Sequence, residues 1–190
     1  MGLDSQGAAL QRTAVDNTTC TRPKWKRGDE DMSYKKWKIP QQVLSESQQA
    51  FLRGQHEVFV IWTAAHHANT AGDIAEITRC IVPAQKPGVS KHGVWVHIAG
   101  EELQRIQLDN YQRKERSIVQ LHTHPGADVS MSALDREWEV VRHVGALSII
   151  VPHYGRLGLR SFDGVNVYER EENDWRLWSP AEAAERLVLL

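Results

Sequence analysis

Two apolar segments constrain the fold of this chain more than any other feature. The segment EVFVIWTAA at residues 57–65 is rich in β-branched and aromatic residues, and LSIIV at residues 147–151 is apolar apart from one serine. Segments of this kind are typical of strands that are buried on both faces. We therefore expect a strand-rich sheet that is flanked by helices.

Helical and extended patterns alternate between and around these two segments. The helical patterns run from Val43 to about Gly54, over GEELQRIQLDNYQRKER and over SALDREWEVVRHVG, the last with Leu134, Trp138, Val141 and Val144 facing inward. The extended patterns are Ile74 to Val82, VWVHI, SIVQLH and a hairpin of RLGLRSF and VNVYE around Asp163-Gly164. The composition of AQKPGVSKHG indicates a loop.

Three regions of the chain differ in their pattern. Residues 1–38 are polar, with scattered aromatic residues and no steady period, which is typical of disorder or of an arm laid over the domain; a partner-binding arm is the alternative. Residues 39–178 carry the alternating elements of one domain. Residues 179–190 begin with Ser-Pro-Ala-Glu, which predicts a capped C-terminal helix ending in LVLL.

The charge and the cysteine content exclude several classes of function. The 23 basic and 24 acidic residues give a net charge of −1, so we expect no nucleic-acid partner. Cys20 and Cys80 are far apart and form no CxxC pair, which indicates neither a disulfide framework nor a cysteine-based zinc site. The sequence shows no leader pattern and no bilayer-spanning segment, so we expect a cytoplasmic protein without a membrane partner.

The stretch QLHTHPGADVSMSALDREW, residues 120–138, carries the polar residues of most interest. Side chains alternate along a strand, so His122 and His124 lie on one face. After a six-residue spacer that follows the proline, Ser132 opens a helix whose first turn contains Asp135. Taken alone, this S-x-x-D is typical of a capping box. Together, two imidazoles and one carboxylate make a three-ligand zinc site with an open fourth position, the arrangement of catalytic zinc.

These residues resemble a known family. H-x-H-P, followed by six residues and S-x-x-D, is the JAMM signature of the JAB/MPN domain metalloproteases, and this chain reads HTHP, GADVSM and SALD at those places. The resemblance covers roughly residues 40–170. It implies an α/β (α+β) fold of the MPN/JAB type, with a mixed central β-sheet flanked by helices.

The resemblance also implies a role for each polar residue of the stretch. His122, His124 and Asp135 match the ligands of one zinc ion (Zn²⁺) per chain. Ser132, and not the neighbouring Ser130, matches the serine whose hydroxyl helps to hold the water and the tetrahedral intermediate. The implied chemistry is hydrolysis of an amide by a zinc-activated water.

The family pattern includes a catalytic glutamate upstream, at a helix-to-strand junction. Glu57 stands at that place here and would be the general acid/base. Val60 and Ala64 occupy positions where the family usually has glycines, and Glu46 and Glu76 remain as alternatives for the role.

The resemblance implies a substrate that carries a ubiquitin-like C-terminal tail, cleaved after its terminal glycine from an isopeptide or from a linear extension. The stand-alone bacterial JAB proteins are similar in length; they are encoded beside E1-like, E2-like and ubiquitin-like partners, some in antiphage operons. Such a tail can add as a strand beside AQKPGVSKHG or VWVHI. The alternatives are a non-catalytic MPN scaffold that binds protein partners and a RadC-like DNA-repair-associated protein; the near-neutral charge and HTHPG in place of HNHPSG argue against the second.

Overall fold

The structure is a computed structural model that describes residues 34–54, 56–66, 73–90 and 93–190. Most of the predicted N-terminal arm, residues 1–33, lies outside the described residues. The strands are β1 Lys36–Ile39, β2 Phe59–Ala65, β3 Ile74–Ile81, β4 Gln85–Ser90, β5 Gly93–Ile98, β6 Glu115–Thr123, β7 Leu147–Val151, β8 Asn166–Arg170, β9 Trp175–Leu177 and β10 Leu187–Leu189. The helices are α1 Gln41–Arg53, α2 Gly100–Arg113, α3 Ala133–Glu137 and α4 Pro180–Arg186, with a 3-10 turn at His153–Gly155.

The predicted mixed sheet flanked by helices is confirmed. Eight strands form one sheet in the order β10-β1-β3-β2-β6-β7-β8-β9, and β4 pairs only with β5 in a separate hairpin. The β6–β7, β1–β3 and β1–β10 pairs are parallel, and the other pairs of the large sheet are antiparallel. Both apolar segments of the sequence lie inside it, since β2 is central and every residue of β7 is buried.

Each face of the sheet has its own core. On one face, Val60 and Trp62 pack with Val43 and Phe51 of α1. The other face carries a smaller cluster that includes Ile106 of α2, and its members are Phe59, Ile61, Ile81, Ile106, Met131, Val141, Ala146, Ile150, Tyr168 and Trp175. This second face is the one on which β6 presents His122, because Phe59 and His122 are directly paired. No helix among the described residues is long and apolar enough to span a bilayer.

The prediction that AQKPGVSKHG is a loop is wrong, because Gln85–Ser90 within it is strand β4. Composition was misleading for two reasons. Pro87 is tolerated because β4 has a partner on one side only. Gly88 is needed for packing, since a Cβ there would lie 2.1 Å from the ring of Trp95, which crosses the hairpin from β5.

The predicted helix over SALDREWEVVRHVG is much shorter, because α3 ends at Glu137. The buried Gln120 side chain accepts hydrogen bonds from the backbone N–H groups of Val140 and Val141, both at 3.0 Å, so these groups are held outside a helix. Val141 is buried as expected, but Leu134 and Trp138 are 38% and 65% exposed, so their predicted inward orientation is wrong.

The last part of the chain differs from the prediction in two places. RLGLRSF is not a strand; Phe162 within it has a left-handed φ of 56°, and β8 pairs with β7 and β9. The predicted C-terminal helix ends at Arg186, and Leu187–Leu189 continue as strand β10 beside β1. The apolar end of the chain therefore completes the sheet.

The contact between the 3-10 turn and α1 gives a first prediction. Gly155 has a φ of +71°, and a Cβ there would lie 2.8 Å from the Phe51 side chain. We expect Gly155→Ala to lower the free energy of unfolding by about 2 kcal/mol in urea denaturation, from conformational strain and overpacking together. The control is Gly158→Ala, where φ is +90° but no atom lies within 4 Å, so only the conformational cost remains. Equal losses of unfolding free energy in the two variants would contradict a contribution from overpacking against Phe51.

Candidate metal centre

Three side chains meet where β6 leaves the sheet. His122 Nε2 lies 3.2 Å from His124 Nε2 and 3.2 Å from Asp135 Oδ1, and His124 Nε2 lies 3.6 Å from Asp135 Oδ2. The two imidazoles lie on one face because they are two residues apart on an extended backbone. Among the described residues, His122, His124 and Asp135 form the one group of three or more histidine, cysteine, aspartate or glutamate side chains that is close enough together to hold a metal ion.

The donor set fits a zinc ion. Zinc binds histidine nitrogen at 2.0–2.1 Å in tetrahedral geometry, which places neighbouring donor atoms about 3.3 Å apart. The three separations, 3.2, 3.2 and 3.6 Å, are close to that spacing. Two histidines and one carboxylate leave a fourth position open, as in catalytic zinc sites.

His124 is held by the loop that follows β6. Its Nδ1 lies 2.8 Å from the carbonyl oxygen of Asp128, to which Nδ1–H donates, so Nε2 is the ring nitrogen that is available to a metal ion. Its backbone N–H donates to Val151 at 2.8 Å, and its carbonyl accepts from Tyr154 at 2.8 Å. The ring is therefore fixed with Nε2 directed at the other two donor atoms.

His122 is fixed mainly by packing. It is 6% exposed and is paired with Phe59 on β2, whose ring is parallel to the imidazole within 8° at a centroid distance of 6.2 Å. Its Nδ1 is buried and has no hydrogen-bond partner within the part of the chain that the structure describes. Histidine ligands usually donate from their other nitrogen to a fixed acceptor, so this ring depends on its neighbours for orientation.

Ser132 and Asp135 form the capping box that S-x-x-D predicts. Ser132 Oγ accepts from the Asp135 N–H at 3.1 Å, and Asp135 Oδ2 accepts from the Ser132 N–H at 2.7 Å. Burial by itself raises the pKa of the Asp135 carboxyl, but the neighbouring His122 and His124 rings and the contact with Ser132 outweigh burial and hold that pKa well below its usual range. Asp135 is therefore an anion at neutral pH, as a metal ligand must be.

Two residues of β8 support this corner, and the sequence prediction missed them. Tyr168 Oη accepts from the Met131 N–H at 3.0 Å, and Asn166 Nδ2 donates to the Val129 carbonyl at 3.0 Å and to Tyr168 Oη at 3.2 Å. These bonds fix the segment that leads into Ser132. No pattern in the sequence singles these two residues out, because β8, NVYER, also carries Glu169 and Arg170.

Glu57 lies in the same groove as the three donor residues. The next residue, Val58, is joined to Thr123 by two bonds, Val58 N–H to Thr123 Oγ1 at 3.0 Å and Thr123 N–H to the Val58 carbonyl at 3.1 Å. Burial raises the pKa of the Glu57 carboxyl to about 7, with His124 opposing and Asp135 reinforcing the shift. A carboxyl of this kind accepts and releases a proton near neutral pH.

The alternative glutamates lie elsewhere. Glu46 is on α1 and accepts from Gln42, while Glu76 is on β3 and pairs with Lys38. Neither lines the groove, and neither does Ser130. The structure therefore brings Glu57 and Ser132 together with the three candidate ligands and leaves the other candidates apart.

The groove around these residues is mostly apolar. Its volume is about 860 Å³, and it runs between the β4–β5 hairpin and α3. Beyond the polar residues already described, it is lined by Phe59, Val94, Trp95, Val96, His97, Gln120, Pro125, Ala133, Leu134 and Trp138. Trp95 and Trp138 are 40% and 65% exposed, so the groove offers two large aromatic surfaces to a binding partner.

A solved structure has a similar fold. The solution structure of protein DSY2949 from Desulfitobacterium hafniense matches with a TM-score of 0.53, over 81% of this chain and 92% of that one, at 9% sequence identity. At this identity the likeness concerns the fold alone. It agrees with a mixed sheet flanked by helices.

A curated relative is similar in sequence. The probable metalloprotease y4jG of Sinorhizobium fredii is 32% identical over 112 residues, which make up 57% of this chain and 66% of that protein. The chain therefore spans a little under two thirds of the length of the relative. No protein-family model matches the chain.

The raised pKa of Glu57 predicts a pH-dependent stability in the metal-free protein. Between the ordinary value of 4.5 and about 7, the unfolded carboxyl is ionised while the folded one keeps its proton. The folded state then binds more protons, so the contribution of Glu57 to the free energy of unfolding falls as pH rises. Glu57→Gln removes this penalty, and its stability gain over the wild type should grow by on the order of 1 kcal/mol from pH 5 to pH 7.5, discounted for partial exposure.

Urea unfolding in a chelator at the two pH values measures this difference. Glu76→Gln, on an exposed position of β3, is the matched control for the loss of one carboxylate. If Glu57→Gln gains the same free energy of unfolding at both pH values, the raised pKa of Glu57 is contradicted.

Proposed function

We propose that this chain is a zinc-dependent peptidase that cleaves after the C-terminal glycine of a ubiquitin-like modifier, by deconjugation or by precursor processing. The observation that carries the proposal is the meeting of His122, His124 and Asp135 in one groove with Glu57. The relative named a probable metalloprotease supports the broader class. The modifier-specific part follows from the resemblance of the motif.

His122, His124 and Asp135 would hold the zinc through Nε2, Nε2 and a carboxylate oxygen. When bound, zinc supplies a Lewis acid that lowers the pKa of water towards neutrality and polarises a carbonyl. The partly buried, anionic Asp135 sets the charge of the site, since two neutral imidazoles and one carboxylate would leave a net positive charge on a centre that holds zinc.

Glu57 moves the proton. Its carboxylate accepts a proton from the attacking water and gives that proton to the amine nitrogen as the C–N bond breaks. Water thus supplies a hydroxyl to the new carboxylic acid and a hydrogen to the amine. Burial raises the pKa of this carboxyl above that of an exposed glutamate, which makes its carboxylate a stronger base towards the attacking water.

Ser132 stabilises negative charge on the carbonyl oxygen. Its Oγ is oriented by the bond that it accepts from the Asp135 N–H, which leaves the hydroxyl hydrogen to be donated into the groove. A donor of this kind contributes on the order of 3 kcal/mol to barrier lowering in other hydrolases. The capping box therefore orients a ligand and an oxyanion donor together.

The groove suits an extended peptide. Among the described residues, β5 pairs with β4 along one edge and has no strand on the other. Four consecutive residues of β5 line the groove: Val94, Trp95, Val96 and His97. A flexible tail can bind there as an added strand, with backbone hydrogen bonds giving affinity. The proposal implies that the partners of this chain are a ubiquitin-like protein, its conjugates, and the E1-like and E2-like proteins that make those conjugates.

Metal binding tests the ligand set. We expect the purified wild type to bind one zinc ion per chain, and His122→Ala or Asp135→Ala to lose it, because a three-ligand site that is reduced to two binds zinc weakly. Inductively coupled plasma mass spectrometry after dialysis measures the ratio. His97→Ala is the matched control, since His97 lines the same groove outside the donor group. Zinc-free wild type, or equal loss in the control, would contradict the assignment.

Cleavage tests the reaction. We expect the zinc-loaded wild type to release a reporter fused after the C-terminal glycine of a ubiquitin-like protein, and Glu57→Gln to lower kcat by a factor on the order of 100 or more with zinc retained. A fusion with the terminal glycine changed to valine is the substrate control. Wild-type zinc binding without cleavage of any such fusion or conjugate would favour a protein-binding scaffold instead.

A further inference from the structure

The Gln85 side chain occupies the place of a missing strand. Phe59 N–H and C=O point towards β3, but β3 ends at Ile81, which pairs with Ile61. Continuing that register by two residues puts Pro83 opposite Phe59, and proline has no N–H to donate. Without another partner, both backbone groups of Phe59 would be unsatisfied.

Gln85 satisfies both groups. Its Oε1 accepts from the Phe59 N–H at 2.7 Å, and its Nε2 donates to the Phe59 carbonyl at 2.9 Å and to the Pro83 carbonyl at 3.2 Å. The side-chain amide thus acts as a peptide group of the absent strand. A glutamine is suited to this because it carries a donor and an acceptor on one plane.

These hydrogen bonds join the β4–β5 hairpin to the segment that carries Glu57 and Phe59. Gln85 is the first residue of β4, so it belongs to the hairpin whose β5 strand lines the groove. Phe59 lies two residues after Glu57 and stacks on His122. The backbone pairing of the hairpin is between β4 and β5 themselves. The hairpin is also attached to the rest of the domain by the hydrogen bond from the Ala84 N–H to Glu102 at 2.9 Å and by the packing of Val96 and Ile98 on the second core.

We infer that Gln85 is a positioning residue, which keeps the substrate-binding hairpin in register with Glu57 and His122. The consequence for catalysis rests on the proposed function, whereas the coupling itself does not. Movement of the hairpin is transmitted to Phe59, because one planar amide holds both backbone groups of that residue. A small displacement of an acid/base group is costly to catalysis.

The test compares Gln85→Met with Lys86→Met in the full-length, zinc-loaded protein. Methionine keeps the length of the side chain but removes both hydrogen bonds, and Lys86 is the exposed neighbour on the same strand. We expect Gln85→Met to raise amide hydrogen exchange about tenfold at Phe59 and in β5, as the loss of one to two net hydrogen bonds implies. Zinc stoichiometry should stay at one. Unchanged exchange at Phe59, as in Lys86→Met, would overturn the inference.

Kinetics separate positioning from general destabilisation. We expect Gln85→Met to lower kcat about tenfold and to raise KM, since both the acid/base group and the groove wall shift. A fall in kcat in proportion to lost zinc, with KM unchanged, would mean damaged folding and would overturn the positioning role. If Gln85→Met does not fold, Gln85→Glu is measured in the same way; it keeps the acceptor for the Phe59 N–H but loses the donor, so exchange should rise in β5 more than at Phe59.

The two proposals fail separately. If exchange rises at Phe59 and in β5 but the wild type cleaves no fusion, the coupling stands and the proposed peptidase activity is wrong. If the wild type is active and Gln85→Met matches it in exchange and in kcat and KM, the coupling is wrong and the activity stands.

Discussion

The placement of β6 between β2 and β7 is the constraint on which the site depends. β6 is antiparallel to β2 and parallel to β7, so its end at Thr123 coincides with the start of β2 and the end of β7. His122 is still inside the sheet at that point, whereas His124 is already in the following loop. One strand end therefore supplies a candidate ligand held in the sheet and a candidate ligand in a loop, and the start of β2 brings Glu57 to the same place.

The two carboxyl groups of the groove have opposite electrostatic environments. Asp135 accepts a hydrogen bond from the Ser132 N–H and lies beside His122 and His124, which together hold its pKa low; burial dominates at Glu57 and raises its pKa. Environments that push two neighbouring pKa values apart divide the work between a permanent anion and a proton carrier. The permanent anion is suited to holding a cation and the proton carrier to acid/base chemistry, so the same desolvation that destabilises the fold at Glu57 prepares the group for its proposed role.

The sequence predicted the parts of this arrangement that depend on local pattern. The alternation in HTH, the S-x-x-D capping box and the apolar runs are local, and each corresponds to what the structure shows at residues 122–124, 132–135 and 147–151. Strand β4, Gln85–Ser90, was missed because its Pro87 and Gly88 are compatible with a strand only in the pairing with β5. The early end of α3 was missed because it depends on Gln120, which lies 20 and 21 residues before Val140 and Val141 in the chain.

The residues that sequence reasoning missed share one physical feature. Gln85, Gln120, Asn166 and Tyr168 all use side-chain groups to satisfy backbone groups that regular secondary structure leaves unpaired. The backbone groups that they satisfy lie beyond the ends of neighbouring elements: Phe59 faces the place beyond the end of β3, and the other groups lie just before or just after α3. A site open to substrate needs such interruptions, because a continuous sheet or helix would close it, yet buried backbone groups still require partners. The polar side chains around the metal centre are therefore a consequence of opening the groove, and they fix its walls without contributing a ligand.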